Sequence, residues 1–417
     1  MTKHRLAMVA VAALSWAGLA AAAEPRARDL GVAFDGTPGA LNAITDVPGV
    51  EVGFKTLISG DGPRAAGKGP VRTGVTAIFP RGKADGRGVF AGFFAGNGNG
   101  DMTGTHWVEE GGVLETPILI TGTGSVGVVR DAAFKWLADH RSGGFWYPVV
   151  AETADFLLHD MPGQHVTAKD TIDALNSATT GPVAEGNVGG GTGMVCNGFK
   201  GGTGTASRKL MAAEGGYTVG VLVQCNYGSA NGLRIAGINV AREMDLQPRC
   251  VTKILSPPQN FFGTAPTLCD PKKLAIADPA SEEHRGSIII VIATDAPLTA
   301  EQLKRLARRG TAGLGRLGSI LADGSGDIFI AFSTANAGVD DGNWHESADK
   351  PASVARLPNA AINPLFAATI EGVEEAVINA MIAAKTMTGV DYWTVSALPH
   401  DQLQASLRRH NLLRPAK

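Results

Sequence analysis

The chain has 417 residues, of which 44% are hydrophobic and 18% charged, and this composition excludes a disordered protein. Its net charge of −2 leaves no basic footprint for nucleic acid. Its 55 glycines follow no repeat, which excludes collagen and favours tight turns and close backbone packing.

The first 23 residues have the pattern of a signal peptide. A basic start at Lys3 and Arg5 precedes an apolar core, and four alanines end just before Glu24. The core is too short for a membrane span with proper flanks. We therefore expect an exported protein, periplasmic or secreted, that begins near Glu24 and has no membrane contact after signal removal. An uncleaved anchor is the alternative.

Strands are predicted from 50–53, 72–80 and 89–94, and 95–101 is expected to be a glycine-rich loop. Residues 117–131 run from a strand through glycines into a helix that ends near His140. Gly122, Gly124 and Gly127 have the spacing of a dinucleotide-binding loop, but no acidic residue follows about twenty positions later to hold a ribose. A nucleotide site is therefore not expected.

Glu152 ends a short apolar run at 149–151. A carboxylate there can hold a substrate's ammonium group, because an ion pair removed from bulk water is less screened. A solvated turn acid is the equally open alternative. A helix is expected at 167–178.

Glycines are densest at 187–208, where free backbone amides can bind an anion or oxyanion, although tight hairpins need the same glycines. The strand that follows ends at Asn226, whose amide can donate to a developing oxyanion or simply precede a turn. Cys250 and Cys269 are placed for a disulfide in an oxidising compartment, whereas Cys196 and Cys225 are expected to be small buried residues. No spacing of Cys and His suggests zinc.

Residues 242–285 show no periodicity and are expected to be a long surface connection. Gly286 and Ser287 then open a run of β-branched residues, which predicts a buried strand. Cleavage of the Gly286–Ser287 bond by the serine hydroxyl would leave a new amino terminus that carries both a nucleophile and a base, since an α-amine titrates near ~8. The alternative is a serine that only starts a core strand.

Helices are expected at 299–309 and from Asn363 to about Lys385, with a short strand at 393–398 and a basic terminal helix. Ser325 also follows a glycine and precedes a second buried strand. Asp327 lies two residues further on, so the two side chains share a face if the strand has begun.

Eight short motifs in this order resemble the DmpA/BapA family of L-aminopeptidase D-Ala-esterase/amidases and β-peptidyl aminopeptidases (peptidase family S58). They are TDVPGV at 45–50, RTGVT at 72–76, GGGTGM at 189–194, VQCNYG at 223–228, GSII at 286–289, ATDAPL at 293–298, GSGDIF at 324–329 and NPLF at 363–366. The resemblance covers nearly the whole mature chain.

The resemblance implies an αββα four-layer sandwich, shared with ornithine acetyltransferases, in a precursor that cuts itself before Ser287. The products would be an α-chain, 24–286, and a β-chain, 287–417, that together form one domain. Asn226 would serve the oxyanion, Glu152 would hold the substrate's amine, and Ser325 and Asp327 would lie beside the nucleophile. No metal or cofactor is implied, and a homotetramer of αβ heterodimers is expected.

The implied activity is hydrolysis of small peptides, amides or esters with a free N-terminus, releasing L-, D- or β-amino acids. An acyltransferase on the same fold and a non-catalytic exported binding protein are the alternatives. Two features depart from the family. Ala154 replaces an aromatic residue two positions after Glu152, and the segment between Asn226 and Ser287 is longer than usual.

Overall fold

The computed structural model describes residues 24–141, 145–258, 265–276, 286–338 and 353–415. The predicted signal peptide and part of the segment before Gly286 lie outside these ranges. The helices are α1 (Thr105–Gly111), α2 (Val126–His140), α3 (Ala168–Ser177), α4 (Ala300–Ala307), α5 (Gly310–Arg316), α6 (Asn363–Ile382) and α7 (His400–Arg409). The helices predicted to follow residues 122, 167, 299 and 362 are confirmed as α2, α3, α4 and α6.

Strands fall along the whole described chain. They are β1 (Glu51–Ser59), β2 (Val71–Phe79), β3 (Val89–Gly98), β4 (Val113–Leu114), β5 (Ile118–Gly122), β6 (Val149–Thr153), β7 (Val195–Cys196), β8 (Phe199–Lys200), β9 (Gly202–Lys209), β10 (Thr218–Asn226), β11 (Arg234–Ile235), β12 (Ile238–Asn239), β13 (Leu246–Pro248), β14 (Cys250–Val251), β15 (Leu274–Ile276), β16 (Ser287–Thr294), β17 (Gly326–Ser333), β18 (Met387–Thr388) and β19 (Trp393–Val395).

Two large sheets form the centre of the molecule. One has four strands in the order β1-β2-β5-β6, and the other has six in the order β4-β3-β17-β16-β10-β9. In the six-stranded sheet β16 lies between β17, which runs parallel to it, and β10, which runs antiparallel. The strand that begins at Ser287 is therefore central.

Three apolar clusters separate the layers. One lies between the sheets and includes Ile120 of β5 and Ile289 of β16. A second joins the outer face of the six-stranded sheet to α4, α5, α6 and α7, and a third joins the outer face of the four-stranded sheet to α2 and α3. The order of layers is helix, sheet, sheet, helix, which confirms the predicted αββα sandwich.

All eight residues of β16 are buried, which explains its unbroken apolar sequence. Ile288, Ile290 and Ile292 face the helices, and Ile289 and Val291 face the other sheet. A strand with both faces covered needs apolar residues at every position rather than at alternate ones.

Close packing accounts for some of the many glycines. A Cβ on Gly204 of β9 would lie 2.0 Å from the carbonyl oxygen of Ala376 on α6. A Cβ on Gly92 of β3 would lie 2.2 Å from the backbone nitrogen of Lys304 on α4. At these two positions the helices approach the sheet so closely that a side chain would displace them.

Several expectations between residues 95 and 276 are wrong. The expected loop at 95–101 is strand as far as Gly98, because β3 pairs with β17. The expected surface connection at 242–285 contributes β13, β14 and β15 to the fold, and Cys250 and Ile276 are fully buried. Its apolar residues pack on the β18–β19 hairpin and the helical layer, which a search for periodicity does not reveal.

Both cysteine pairs form disulfides. Cys250 is bonded to Cys269, as predicted. Cys196 is bonded to Cys225, which corrects the expectation that these were only small buried residues. The second bond joins the β7–β8 hairpin to β10, one residue before Asn226. No helix in the described ranges is both long and apolar enough to cross a bilayer.

Candidate active site

Three neighbouring strands place Ser287 at the centre of the candidate site. Ser287, the first residue of β16, pairs with Asn226 at the end of β10 and with Gly326 at the start of β17. Ser287 and Asn226 are only 7% and 8% exposed. A Cβ on Gly326 would lie 2.9 Å from the Ser287 hydroxyl oxygen, so the absence of a side chain there leaves space beside the hydroxyl.

The peptide bond predicted to be cut is tightly held. The Gly286 carbonyl oxygen accepts a hydrogen bond from the Gly326 backbone N–H at 3.1 Å. A Cβ on residue 286 would lie 2.5 Å from the Asn226 carbonyl oxygen. Only glycine therefore fits before Ser287, and the carbonyl of the predicted scissile bond already has a donor that can stabilise a negative charge.

The Asn226 side chain has a fixed orientation. Its Oδ1 accepts from the Val195 backbone N–H at 2.8 Å, and its Nδ2 donates to the Ala154 carbonyl oxygen at 3.0 Å. Because a backbone N–H can only donate and a carbonyl can only accept, these partners determine which atom is oxygen. The amide nitrogen carries two hydrogens, so one can still donate to a bound group.

Ser325 and Asp327 lie on either side of Gly326, and a hydrogen bond joins their side chains. The Ser325 hydroxyl donates to Asp327 Oδ1 at 2.8 Å, and Asn97 Nδ2 donates to Asp327 Oδ2 at 3.2 Å. Burial raises the pKa of Asp327, against the opposing effect of these two donors. The carboxylate thus lies in a partly desolvated position beside the strand that pairs with Ser287.

Glu152 occupies the end of β6 and is 4% exposed. It accepts from the Asp101 backbone N–H at 3.0 Å and from the Thr123 hydroxyl. Burial raises its pKa, and the two donors oppose this shift. A Cβ on Gly100 would lie 3.1 Å from Glu152 Oε1 and 3.6 Å from Gly326 Cα, which places the carboxylate next to the start of β17.

A second carboxyl, Asp155, is buried three residues after Glu152. It lies near the Thr73 hydroxyl, but neither of its oxygens has a well-formed hydrogen bond to a described residue. Burial raises its pKa to about 7, and the charge of Glu152 adds to this effect. At neutral pH this carboxyl is therefore partly protonated.

Thr123, Asn97 and Lys200 are site residues that the sequence did not single out. Thr123 lies within the glycine pattern at 122–127, so this turn places a hydroxyl on Glu152. Asn97 lies at the end of β3 and binds Asp327, and Lys200 is buried beside the peptide that holds Asn226. The feature of the sequence that points to these three residues is that each is a polar residue within a glycine-rich stretch.

A cavity of about 220 Å³ adjoins Ser325. Its lining is polar near Asn197 and Ser229 and apolar at Ile320. Its volume lies below the usual range for drug-sized ligands, so it is suited to a small group. In the described part of the chain, no cluster of three or more His, Cys, Asp or Glu residues is arranged to hold a metal ion.

Comparison with known proteins gives a consistent result. Residues 42–395 match the model of peptidase family S58. Two β-peptidyl aminopeptidases named BapA are similar to the chain. That of Sphingosinicella microcystinivorans is 50% identical and the match covers 98% of both chains, and that of Sphingosinicella xenopeptidilytica is 45% identical over 94% of this chain and 92% of the relative.

Solved structures agree in fold. A β-aminopeptidase from a Burkholderia species has a TM-score of 0.79 at 44% identity, with 92% of this chain and 99% of that chain covered. The L-aminopeptidase D-Ala-esterase/amidase of Ochrobactrum anthropi, described as a variant of the Ntn-hydrolase fold, has a TM-score of 0.79 at 42% identity, with 94% and 100% covered.

Proposed function

The chain belongs to peptidase family S58 and is an aminopeptidase, and from this premise we propose that it cuts itself before Ser287 and releases N-terminal residues, β-amino acids among them, from small peptides and amides. Family membership rules out the non-catalytic binding protein considered above. The observation that carries the proposal is the alignment of Ser287 with Asn226 and Gly326 across three strands.

Self-cleavage would begin with attack of the Ser287 hydroxyl oxygen on the Gly286 carbonyl carbon. The Gly326 N–H would stabilise the oxyanion. Collapse of the intermediate breaks the Gly286–Ser287 C–N bond as the nitrogen takes up the proton that the hydroxyl has lost, which leaves an ester on the Ser287 oxygen and frees its α-amine. Water then hydrolyses the ester, so the 24–286 chain ends in a carboxylate and the 287–417 chain begins at Ser287.

In turnover the same hydroxyl would attack the substrate's scissile carbonyl. The α-amine of Ser287 accepts the hydroxyl proton and passes it to the leaving amine, since its ordinary pKa near ~8 suits both roles. Asn226 Nδ2 donates to the oxyanion, while Ser325 and Asp327 tune the α-amine. Water then releases the acyl group, and the free enzyme returns.

Glu152 would bind the ammonium group of the substrate and so restrict cleavage to free N-termini. The carboxylate is buried, where an ion pair is less screened than in water. Ala154 has only a methyl group two residues after Glu152, and we propose that the absence of a larger side chain there favours the longer backbone of a β-residue.

Three further features belong to the same proposal. We propose export to the periplasm or outside the cell, directed by residues 1–23. We also propose that the 24–286 and 287–417 chains stay packed as one domain, since β16 and β17 of the second chain lie between β3 and β10 of the first in the six-stranded sheet. Assembly as a homotetramer of these heterodimers completes the proposal.

The test is a hydrolysis panel of p-nitroanilides carrying L-Ala, D-Ala or a β-homo residue, with an N-acetylated copy of each as the matched control. We expect release of p-nitroaniline from the β-residue substrate and none from its acetylated copy. Hydrolysis of acetylated substrates would contradict the role of Glu152. Product formed only when an acyl-accepting amine is added would favour the acyltransferase instead.

A further inference from the structure

Lys200 is a fully buried lysine close to the proposed oxyanion donor. It lies on β8, and its side chain is 0% exposed. Its ammonium nitrogen donates to the carbonyl oxygens of Met194 at 2.7 Å and Gly201 at 2.9 Å. Among the described residues no carboxylate forms an ion pair with it.

An unpaired buried charge is costly, because the protein interior solvates it less well than water does. Burial accordingly lowers the pKa of Lys200 to about 7. A neutral residue could close the hairpin without this cost, so the position of the ammonium calls for a functional explanation.

One peptide group connects Lys200 to Asn226. The carbonyl oxygen of the Met194–Val195 peptide accepts from Lys200 Nζ and also from the Gly201 backbone N–H at 2.9 Å. The N–H of the same peptide donates to Asn226 Oδ1 at 2.8 Å. The lysine, the peptide and the asparagine amide are therefore linked in series.

Hydrogen bonds in series polarise one another, most strongly where the surroundings are apolar. When Lys200 is protonated, its positive charge at the Met194 carbonyl makes the Val195 N–H a stronger donor, and this donor in turn draws electron density from the Asn226 amide. The remaining Asn226 N–H then becomes a better donor to a negative oxygen. The Cys196–Cys225 disulfide joins the residue after Val195 to the residue before Asn226 and so holds this peptide beside the asparagine.

From this geometry we infer that Lys200 is a positioning residue that orients and polarises the Asn226 amide toward the oxyanion. The inference rests on the proposed function, because it assumes that Asn226 donates to the oxyanion during turnover.

The test is a double-mutant cycle on the full chain with Lys200→Met, Asn226→Ala and the double variant, with rates normalised to the cleaved chain. We expect Asn226→Ala to lower kcat by about 10²–10³-fold, as for other oxyanion donors. Lys200→Met should lower kcat by roughly tenfold with little change in KM, a smaller loss because the donor itself remains. The double variant should be no slower than Asn226→Ala alone.

Controls separate charge from folding. Lys200→Gln keeps an N–H donor without the charge, and the same loss of kcat is expected. Lys83→Met removes another lysine that donates to a backbone carbonyl, that of Asn176 at 2.8 Å, and should leave kcat unchanged. Thermal melting and the fraction of cleaved chain report folding, and if Lys200→Met does not fold, Lys200→Gln takes its place in the cycle.

The outcomes distinguish the two proposals. If Asn226→Ala keeps the wild-type kcat, the oxyanion role of Asn226 is wrong. If Asn226→Ala is slow but Lys200→Met and Lys200→Gln are not, or if the two losses multiply in the double variant, the inference about Lys200 is overturned while the proposed function stands.

Discussion

Glu152 illustrates how burial and hydrogen bonding oppose each other at one residue. Its carboxylate is removed from water, which raises its pKa, but the Asp101 N–H and the Thr123 hydroxyl favour the charged form. An ionised carboxylate is what an ammonium group needs. The two donors thus offset part of the cost of burying this charge before a substrate arrives.

We expect Glu152→Gln to raise KM by about 10- to 100-fold, the equivalent of one charge-assisted hydrogen bond. Self-cleavage should persist, because cutting the Gly286–Ser287 bond in the precursor involves no ammonium group for Glu152 to bind. Because the pKa of Glu152 is raised, wild-type KM should increase as the pH falls and approach that of the variant. A ratio of the two KM values that stays constant from pH 8 down to ~4, below the ordinary pKa of a glutamate carboxyl, would contradict this role.

Asp155 gives a prediction for stability. Its pKa is raised to about 7 in the folded chain, against ~3.9 when unfolded, so between these values the native state binds the additional proton. The stability of the wild type should therefore fall as the pH rises from about 4 to 7, whereas Asp155→Asn lacks this dependence.

The difference is measured by chemical denaturation of Ser287→Ala chains with and without Asp155→Asn. We expect the asparagine variant to gain ~1–3 kcal/mol relative to its parent between pH 4 and pH 8. A difference in the free energy of unfolding between the two chains that does not change with pH would show that Asp155 does not titrate in this window.

At the scale of elements, a buried ion cluster joins β9 to α6 and to the N-terminal segment. Arg208, 1% exposed, lies 2.8 Å from Glu375, and Arg28 lies 2.7 Å from the same carboxylate. Burial of Glu375 favours its neutral form, but the two arginines outweigh it and hold its pKa below the ordinary value.

Arg208→Met should destabilise the fold by about 3–5 kcal/mol, because removing one partner leaves buried charge poorly compensated. Arg316→Met, which removes an exposed partner of Glu374 on the same helix, should cost less than ~1 kcal/mol. Urea unfolding of both variants in the Ser287→Ala background makes the comparison. Equal losses would mean that the buried cluster does not stabilise the fold more than a surface pair.

Elements with a strong local signal were predictable from the sequence. The apolar run after Ser287 predicted β16, and the helices at 168–177 and 363–382 begin within one residue of the expected positions. Strand order was not predictable from local pattern, because it depends on which faces meet in the fold. The four-layer architecture was predicted from the resemblance to a family and not from local sequence pattern.

The same distinction applies to the site. The resemblance to a family placed Ser287, Asn226, Ser325 and Asp327 in one site, and in the fold these residues lie on or next to the adjacent strands β10, β16 and β17. The Cys196–Cys225 bond and the link from Lys200 to Asn226 depend on a hairpin folding back against β10, and no spacing along the chain indicates it. The roles of these residues stay predictions until variants are measured.

At the scale of the whole molecule, the proposed cut falls inside the fold rather than between domains. β16 lies between two strands of the six-stranded sheet, one from each side of position 287 in the sequence. Separating the two chains would expose the face of β16 that packs on the four-stranded sheet and the edge that pairs with β10. We therefore expect the cleaved chains to remain associated through purification.

Self-cleavage before Ser287 is tested most directly by denaturing electrophoresis, intact mass and N-terminal sequencing of the purified wild type and of Ser287→Ala. We predict two chains for the wild type, the smaller one beginning at Ser287, and one uncut chain for the variant. An active wild-type enzyme that is uncut at position 287, or a variant that is still cut there, would contradict the account.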